Sequence, residues 1–233
     1  MGISRPLAGR PRFGGLLSSA HRIAALLLAA ACGIAAADPL NIHQALLQAA
    51  RANDLASVTA LMGKGASPNV RDRHGDTPLN AAARAGRLEM ARLLLDHGAD
   101  VNEANIAGVT PLMSAAYAGQ APIVRELLTR HADLRAVDRI RKTALVYAAA
   151  EGGADCVTAL LDAGDDPNQR DAVGATPLMW AAGAGRVDTI AVLLARGARR
   201  DDQDQRGLTA LAIARQHKQD AAAAALTSAA ATH

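Results

Sequence analysis

The side chains that most often carry chemistry lie along this sequence without the spacing that a reaction would need. The seven histidines form neither an H-E-x-x-H motif nor a set of histidine and cysteine metal ligands. No G-x-S-x-G motif occurs, and no glycine-rich phosphate loop follows a strand-like run. The pairs Asp165-Asp166 and Asp201-Asp202 could hold a cation, but they fall where short polar side chains fix the loops of a repeated unit. The sequence therefore predicts a protein that is not an enzyme and holds no metal or cofactor.

The aromatic side chains point to another kind of site. The chain has one Trp, two Tyr and one Phe, too few rings to stack single-stranded nucleic acid. Tyr117, Tyr147 and Trp180 lie in the central part of the chain. These rings either pack seams between structural units or form a recognition surface. Their concentration favours recognition of a protein, because Trp and Tyr dominate the energetics of protein interfaces.

Residues 1–37 have the layout of a secretory signal peptide. Four Arg and no acidic residue are combined with an apolar run over residues 23–31 and a series of small residues that ends before Asp38. We expect cleavage after Ala37, with Ala35 and Ala37 as the small residues of the cleavage site. Loss of four positive charges changes the formal net charge from +3 to −1, which argues against a general attraction to nucleic acid.

The export signal and the Ala- and Arg-rich composition together indicate the periplasm of a Gram-negative bacterium. A lipoprotein with lipid on Cys32 is the alternative, and Ala29 disfavours it because a Leu-like residue usually stands at that position. After cleavage we expect no stable membrane insertion. Cys156 is then the remaining cysteine, and its place on an apolar helix position predicts an inert, partly buried thiol.

A repeat of 33 residues organises the rest of the sequence. Each unit carries a Thr-Pro-Leu or Thr-Ala-Leu triplet, beginning at Thr77, Thr110, Thr143, Thr176 and Thr209. The Thr can cap a first helix, the Pro fits its first position, and a Leu pair with a later Gly indicates a second helix and its end. One such helix pair cannot bury its apolar face alone, so the units must stack.

Residues 75–102, from Gly75-Asp-Thr-Pro-Leu to Asp-Val-Asn102, resemble an ankyrin repeat, and the resemblance covers about residues 40–227. It implies an all-α solenoid of six stacked helix-turn-helix units with β-hairpin tips. The signal peptide would precede a repeat domain over residues 38–227 and a flexible tail over 228–233. The units cover about 40–70 (unit 1), 71–103 (unit 2), 104–136 (unit 3), 137–169 (unit 4), 170–202 (unit 5) and 203–227 (unit 6).

Some units depart from the pattern. Arg141 stands where the other tips have Gly, which predicts a strained or reshaped fourth tip. Ala144 and Ala210 replace Pro. In unit 6, Arg215 and Lys218 replace Ala and Gly, and such polar substitution suits an end cap.

The resemblance also implies a concave groove formed by the tips and the first helices. Counted from the Thr, Tyr147 and Trp180 occupy the variable fifth position and Tyr117 the eighth, on the same helix face. We expect these rings to form the centre of the partner-binding surface. Its rim is predicted to contain Arg73, His74, Arg84, Ile106, Arg139, Ile140, Lys142, Glu151 and Val173.

A protein-binding role follows from the same resemblance. We predict an exported, monomeric, non-enzymatic scaffold or adaptor that recognises another protein in the periplasm. Two other roles stay open. One is an immunity-type inhibitor of a periplasmic toxin. The other is an accessory factor for a periplasmic oxidative-stress enzyme, since small exported bacterial ankyrin proteins similar to this one have been linked to oxidative-stress defence.

Overall fold

The computed structural model describes residues 39–228, and all regular secondary structure in that range is helical. The α-helices are α1 Pro39–Ala52, α2 Leu55–Gly63, α3 Pro78–Arg84, α4 Leu88–Asp96, α5 Pro111–Tyr117, α6 Ala121–Thr129, α7 Ala144–Tyr147, α8 Ala154–Asp162, α9 Pro177–Gly183, α10 Val187–Ala195, α11 Ala210–Gln216 and α12 Asp220–Ser228. A π-helical turn, Ala148–Gly152, joins α7 to α8. The all-helical fold class expected from the sequence is confirmed. In this range no helix combines the length and the apolar character that crossing a membrane requires.

Several expectations from the sequence fall outside the described residues. They are the signal peptide, its cleavage site at Ala35 and Ala37, lipid on Cys32, and the last five residues of the tail. Ser228, expected to begin the tail, is instead the last residue of α12.

The first helix of each unit is fixed by its capping threonine. In five successive units the threonine side-chain oxygen accepts the backbone N–H three residues later, at 3.2–3.5 Å. In unit 2 the bond is reciprocal, because the Asn80 side-chain oxygen accepts the Thr77 N–H at 3.1 Å. These caps satisfy amides that a helix N-terminus leaves without an internal partner.

The core is built from small and aliphatic side chains that recur every 33 residues. First helices contact first helices of neighbouring units, and second helices contact second helices. The fully buried positions of the first helices include Ala82, Ala115, Ala148, Ala181 and Ala214. Those of the second helices include Leu94, Leu127, Leu160 and Leu193. Because alanine is small, the first helices approach closely and the stack buries surface that one pair would leave exposed.

The tips, residues 71–76 and their equivalents, carry no strand in the described range, where the resemblance implied β-hairpins. In unit 2 the Asp72 N–H donates to the Asp76 carbonyl at 3.0 Å, and the Gly75 N–H to the Asp72 carbonyl at 2.9 Å. Each tip then joins the next by one backbone bond, such as Ile106 N–H to the His74 carbonyl at 3.2 Å. Side-chain oxygens of the tips bind the remaining amides, so no ladder long enough for a strand forms.

Unit 4 is the irregular unit. Arg141 has a φ of 62°, as the sequence predicts for a position that is glycine in neighbouring tips. The first helices of units 2, 3 and 5 end at a glycine with positive φ, and those of units 1 and 6 at Asn53 and Lys218, but here Gly153 (φ 81°) takes that conformation one residue late. Gly152 instead belongs to the π-helical turn, which the Gly153 N–H closes on the Ala148 carbonyl at 2.9 Å. A Cβ on Gly152 would lie 1.8 Å from the Ala116 carbonyl oxygen, so the turn packs backbone against backbone.

Candidate functional site

The three predicted rings lie in a row on three successive first helices. Tyr117 ends α5, Tyr147 ends α7, and Trp180 lies on α9. The two tyrosine rings meet edge to face, with centroids 6.0 Å apart and planes at 84°. The Lys142 Nζ lies 3.7 Å from the Trp180 ring centroid and 5.8 Å from that of Tyr147. We call Tyr117, Tyr147, Lys142 and Trp180 the aromatic row.

The row lies partly in the core and partly at the surface. Tyr117 is 51 % exposed, whereas Tyr147 and Trp180 are half-buried and pack against core residues. The two interpretations of the sequence, seam packing and a recognition surface, each describe part of this arrangement. A ring that packs on one side and is exposed on the other suits an interface, because it is already ordered before a partner arrives.

Two aspartates hold the inner rings in place. The Tyr147 hydroxyl donates to the Asp138 Oδ2 at 2.6 Å, and the Trp180 Nε1–H donates to the Asp171 Oδ2 at 2.9 Å. Burial raises the pKa of Tyr147 far above its ordinary value, and the bond to Asp138 raises it further. The Tyr147 hydroxyl therefore remains a donor at any physiological pH.

The same aspartates shape their tips. The Asp138 Oδ1 accepts the N–H groups of Ile140 and Lys142 at 2.9 and 2.8 Å. The Asp171 Oδ1 accepts equivalent bonds at 3.0 and 2.9 Å. One carboxylate thus fixes the turn with one oxygen and the ring with the other.

Sequence reasoning missed Asp138 and Asp171, although a signal was present. An Asp or Asn stands five residues before each capping threonine, at Asp72, Asn105, Asp138, Asp171 and Asp204. Every one accepts the N–H groups two and four residues later. A ring at the fifth position of the following helix, combined with this residue, would have indicated the ring–tip bond.

A pocket opens beside Trp180. It encloses about 590 Å³, which lies in the range of small-ligand pockets. Its apolar lining includes Val173, Met179, Trp180 and Ile213, and its polar lining includes Glu151, Asp204, Gln205, Arg206 and His217. We call this space the Trp180 pocket. Three of the residues predicted for the interface, Glu151, Val173 and Trp180, contribute to it.

Other predicted residues line a separate polar groove at units 1 and 2. This groove encloses about 640 Å³ and contains Arg51, Arg71, Arg73, Arg84, Asp72, Asp76 and His74. Arg84 pairs with Asp76 at 3.1 Å, Arg51 pairs with Asp72, and the Arg73 Nε donates to the His74 Nε2 at 3.0 Å. Arg73, His74 and Arg84 therefore lie together, but not in the aromatic row.

The remaining predicted residues are exposed at the tips or engaged in a surface ion pair. Ile106 and Ile140 are each 55 % exposed, and Val173 is 53 % exposed. Arg139 is also exposed, whereas Glu151 pairs with Arg186 at 3.1 Å. Of the seven large exposed hydrophobic residues in the described range, five belong to the tips or first helices of units 3–5: Ile106, Tyr117, Val137, Ile140 and Val173. Such clustering is typical of an interaction surface.

Cys156 and Asp165, the other residues considered for chemistry, are buried in the repeat domain. Cys156 is fully buried, and burial raises the pKa of its thiol to about 11. Asp165 is 7 % exposed, and its Oδ1 accepts the Asp166 N–H and the Gln169 amide at 2.9 and 2.6 Å. Among residues 39–228 no three His, Cys, Asp or Glu side chains meet as metal ligands.

Comparison with known families matches this architecture. The family described as ankyrin repeats (3 copies) matches four overlapping stretches, residues 19–105, 46–138, 102–171 and 145–232. A comparison with curated proteins found no match.

Proposed function

Because the chain belongs to the ankyrin-repeat family, whose repeats are scaffolds for protein–protein interaction, we propose that it binds its partner through the groove that carries the aromatic row. Tyr117, Tyr147 and Trp180 form the energetic centre of that interface. The protein performs no catalysis of its own and acts as a monomeric scaffold or adaptor.

The observation that carries this proposal is that the three rings are held in fixed positions before a partner binds. Hydrogen bonds to Asp138 and Asp171 fix the rings of Tyr147 and Trp180. The Tyr117 ring packs edge to face against Tyr147, and about half of its surface is exposed. Rigid aromatic side chains offer large contact area at a small loss of side-chain entropy. The exposed apolar tips of units 3–5 extend the same surface.

We also propose that the protein works in the periplasm after removal of residues 1–37. The basic start, the short apolar run and the small residues at Ala35 and Ala37 support this location. Mass spectrometry of fractionated cells tests it. An N-terminus at Asp38 in the periplasmic fraction is the expected result, whereas an intact Met1 in the cytoplasm or a lipid-bearing Cys32 would contradict it.

The binding proposal is tested by capturing the partner from a periplasmic extract. Immobilised protein is compared with its Tyr117→Ala variant, which loses no side-chain hydrogen bond among residues 39–228, and with Val187→Ala. Val187 is an exposed apolar control on α10, outside the groove. Quantitative mass spectrometry should show one protein that Tyr117→Ala recovers poorly and Val187→Ala recovers fully. Equal recovery by both variants would refute the role of the groove.

A further inference from the structure

We infer that the partner presents an acidic segment with a large apolar side chain, which enters the Trp180 pocket while the acidic residues face the cations of the fourth tip. This inference rests on the proposed function, because it places the partner in the same groove. It adds the chemistry of the segment that the groove selects.

The acidic side chains of the tips are turned inward. Asp76, Asp138, Asp171 and Asp204 are each exposed by no more than 8 %, and the side chain of Asp72 is exposed by 8 %. Four of them bind tip amides with one oxygen, and their second oxygen is bound by Arg51, Tyr147, Trp180 or Arg206. Arginines pair with Asp72, Asp76 and Asp204, whereas Asp138 and Asp171 bind neutral donors. Burial limits the surface that all five offer to a partner.

The basic side chains of the fourth tip have no such internal partner. Arg139 and Arg141 are exposed, and Lys142 lies between the rings of Tyr147 and Trp180. None of the three cations makes an ion pair within residues 39–228. The rim beside the aromatic row is therefore positive, and complementary charge on a partner would steer it there.

The Trp180 pocket supplies the apolar half of the recognition. Trp180 forms one wall, and it is fixed by its bond to Asp171 and by the Lys142 ammonium over its ring. Val173, Met179 and Ile213 add apolar surface. A preformed apolar pocket favours a large apolar side chain, since little order has to be gained on binding.

These features favour a protein segment over a nucleic acid. Nucleic acid could use the same cations, but it needs ring faces on which bases stack. Lys142 covers one face of Trp180, and the two tyrosines meet edge to face instead of offering parallel faces.

The test starts from a library of random peptides without Trp, selected on the immobilised protein. Trp180 is the single Trp of the chain, so its emission reports occupation of the pocket without any label. Soluble forms of the selected peptides are titrated while Trp180 emission is followed, and an oligothymidine is titrated in parallel. The variants are Tyr117→Ala, Arg139→Glu, and Arg139→Glu combined with Arg141→Gly, which relieves a positive φ and so preserves folding. Arg125→Glu, an exposed cation on α6, is the control.

We expect selected peptides to be rich in Asp and Glu around one Leu, Ile or Phe, and to shift Trp180 emission to shorter wavelength. The double variant should weaken binding about tenfold or more, with a smaller dependence on salt, whereas Arg125→Glu should leave it unchanged. Peptides that need Tyr117 but show no acidic excess would overturn this inference and leave the proposed function standing. Tighter binding of oligothymidine would overturn it in favour of nucleic acid. Selected peptides that no groove variant weakens would contradict both.

Discussion

Units 4 and 5 each place a ring at the fifth position of the first helix and bind it to the aspartate of their own tip, but their backbones differ. Unit 5 has Pro177 at the start of α9 and Gly174 at the left-handed position of its tip (φ 75°). Unit 4 has Ala144 and Arg141 at these positions, and a π-helical turn after α7. The comparison teaches that the ring–tip bond does not depend on a regular backbone. It also shows that the strained residue Arg141, and the tip cations that make no ion pair among residues 39–228, lie in the same unit as Tyr147.

The contact between units 3 and 4 also differs at the loops that follow the second helices. At three seams an asparagine side-chain oxygen accepts a backbone N–H of the next unit at 2.8 Å; these residues are Asn69, Asn102 and Asn168. At the seam between units 3 and 4 the equivalent residue is Arg135. There Asp165 accepts the Asp166 N–H instead, from a position that is a buried alanine in units 1, 2, 3 and 5. The Asp165 Oδ2 is left buried without a partner among the described residues.

The largest expected effect separates binding from folding in unit 5. Replacing Trp180→Ala should weaken partner binding by about 2 kcal/mol or more, because it removes a wall of the pocket. Arg84→Ala, which breaks the pair with the buried Asp76 in the polar groove, lies outside the aromatic row and should change binding by less than about 0.5 kcal/mol. Calorimetric titration of both variants, with a thermal melt of each, provides the comparison. A large loss of stability in Trp180→Ala with unchanged affinity would show that Trp180 stabilises the core and does not contribute to partner binding.

A second test concerns Asp165 and pH. Burial, followed by the nearby Asp166 charge, raises the pKa of Asp165 from 3.8 to about 7, although the Asp166 N–H and Arg135 lower it. The folded state therefore holds this proton to higher pH than the unfolded state, so stability falls as pH rises from about 4 to about 7 and the penalty is complete above that range. Asp165→Asn should remove the penalty and stabilise the protein by about 1–3 kcal/mol at pH 8, but hardly at pH 4.

Urea unfolding of wild type and Asp165→Asn across this pH range measures the effect. Asp188→Asn serves as the control, since Asp188 is exposed on α10 and is not among the groups that shift the pKa of Asp165. An equal difference between wild type and Asp165→Asn at pH 4 and pH 8 would show that folding does not raise the pKa of Asp165, and would contradict this prediction.

A smaller effect is expected from the hydroxyl that joins ring to tip in unit 4. Tyr147→Phe should destabilise the protein by about 1 kcal/mol, because it leaves the Asp138 Oδ2 without its donor. Tyr117→Phe is the matched control, since the Tyr117 hydroxyl makes no hydrogen bond in the described structure. Chemical unfolding compares the two. If both variants lose the same stability, the bond to Asp138 contributes nothing.

The smallest effect tests the strain in the fourth tip. Arg141→Gly should stabilise the protein by about 0.5–1 kcal/mol, because glycine adopts a φ of 62° without a steric penalty. The same exchange reversed in unit 5, Gly174→Arg, should destabilise it by a similar amount or more. Thermal melts of the two variants should move in opposite directions, and a loss of stability in Arg141→Gly would mean that the arginine side chain makes a favourable contact that outweighs the strain.

The 33-residue spacing was enough to predict the helices, their threonine caps and the buried alanines, because these depend on local chemistry repeated in each unit. The arginine in place of glycine also predicted a strained or reshaped fourth tip, and the structure has a positive φ at Arg141. The spacing could not predict the π-helical turn, since Gly152 and Gly153 are adjacent and either can take the left-handed conformation. The place of Lys142 over Trp180 could not be predicted either, because it depends on how one tip lies against the next first helix.

The most direct test of the account uses the single tryptophan and the partner itself. Acrylamide quenching of Trp180 fluorescence is measured in the free protein and in the protein saturated with its captured partner. If the aromatic row is the recognition surface, the partner shields Trp180 and the quenching constant falls, while Arg139→Glu requires more partner to reach the same protection. Unchanged quenching at saturation would show that the partner binds elsewhere and would contradict the account.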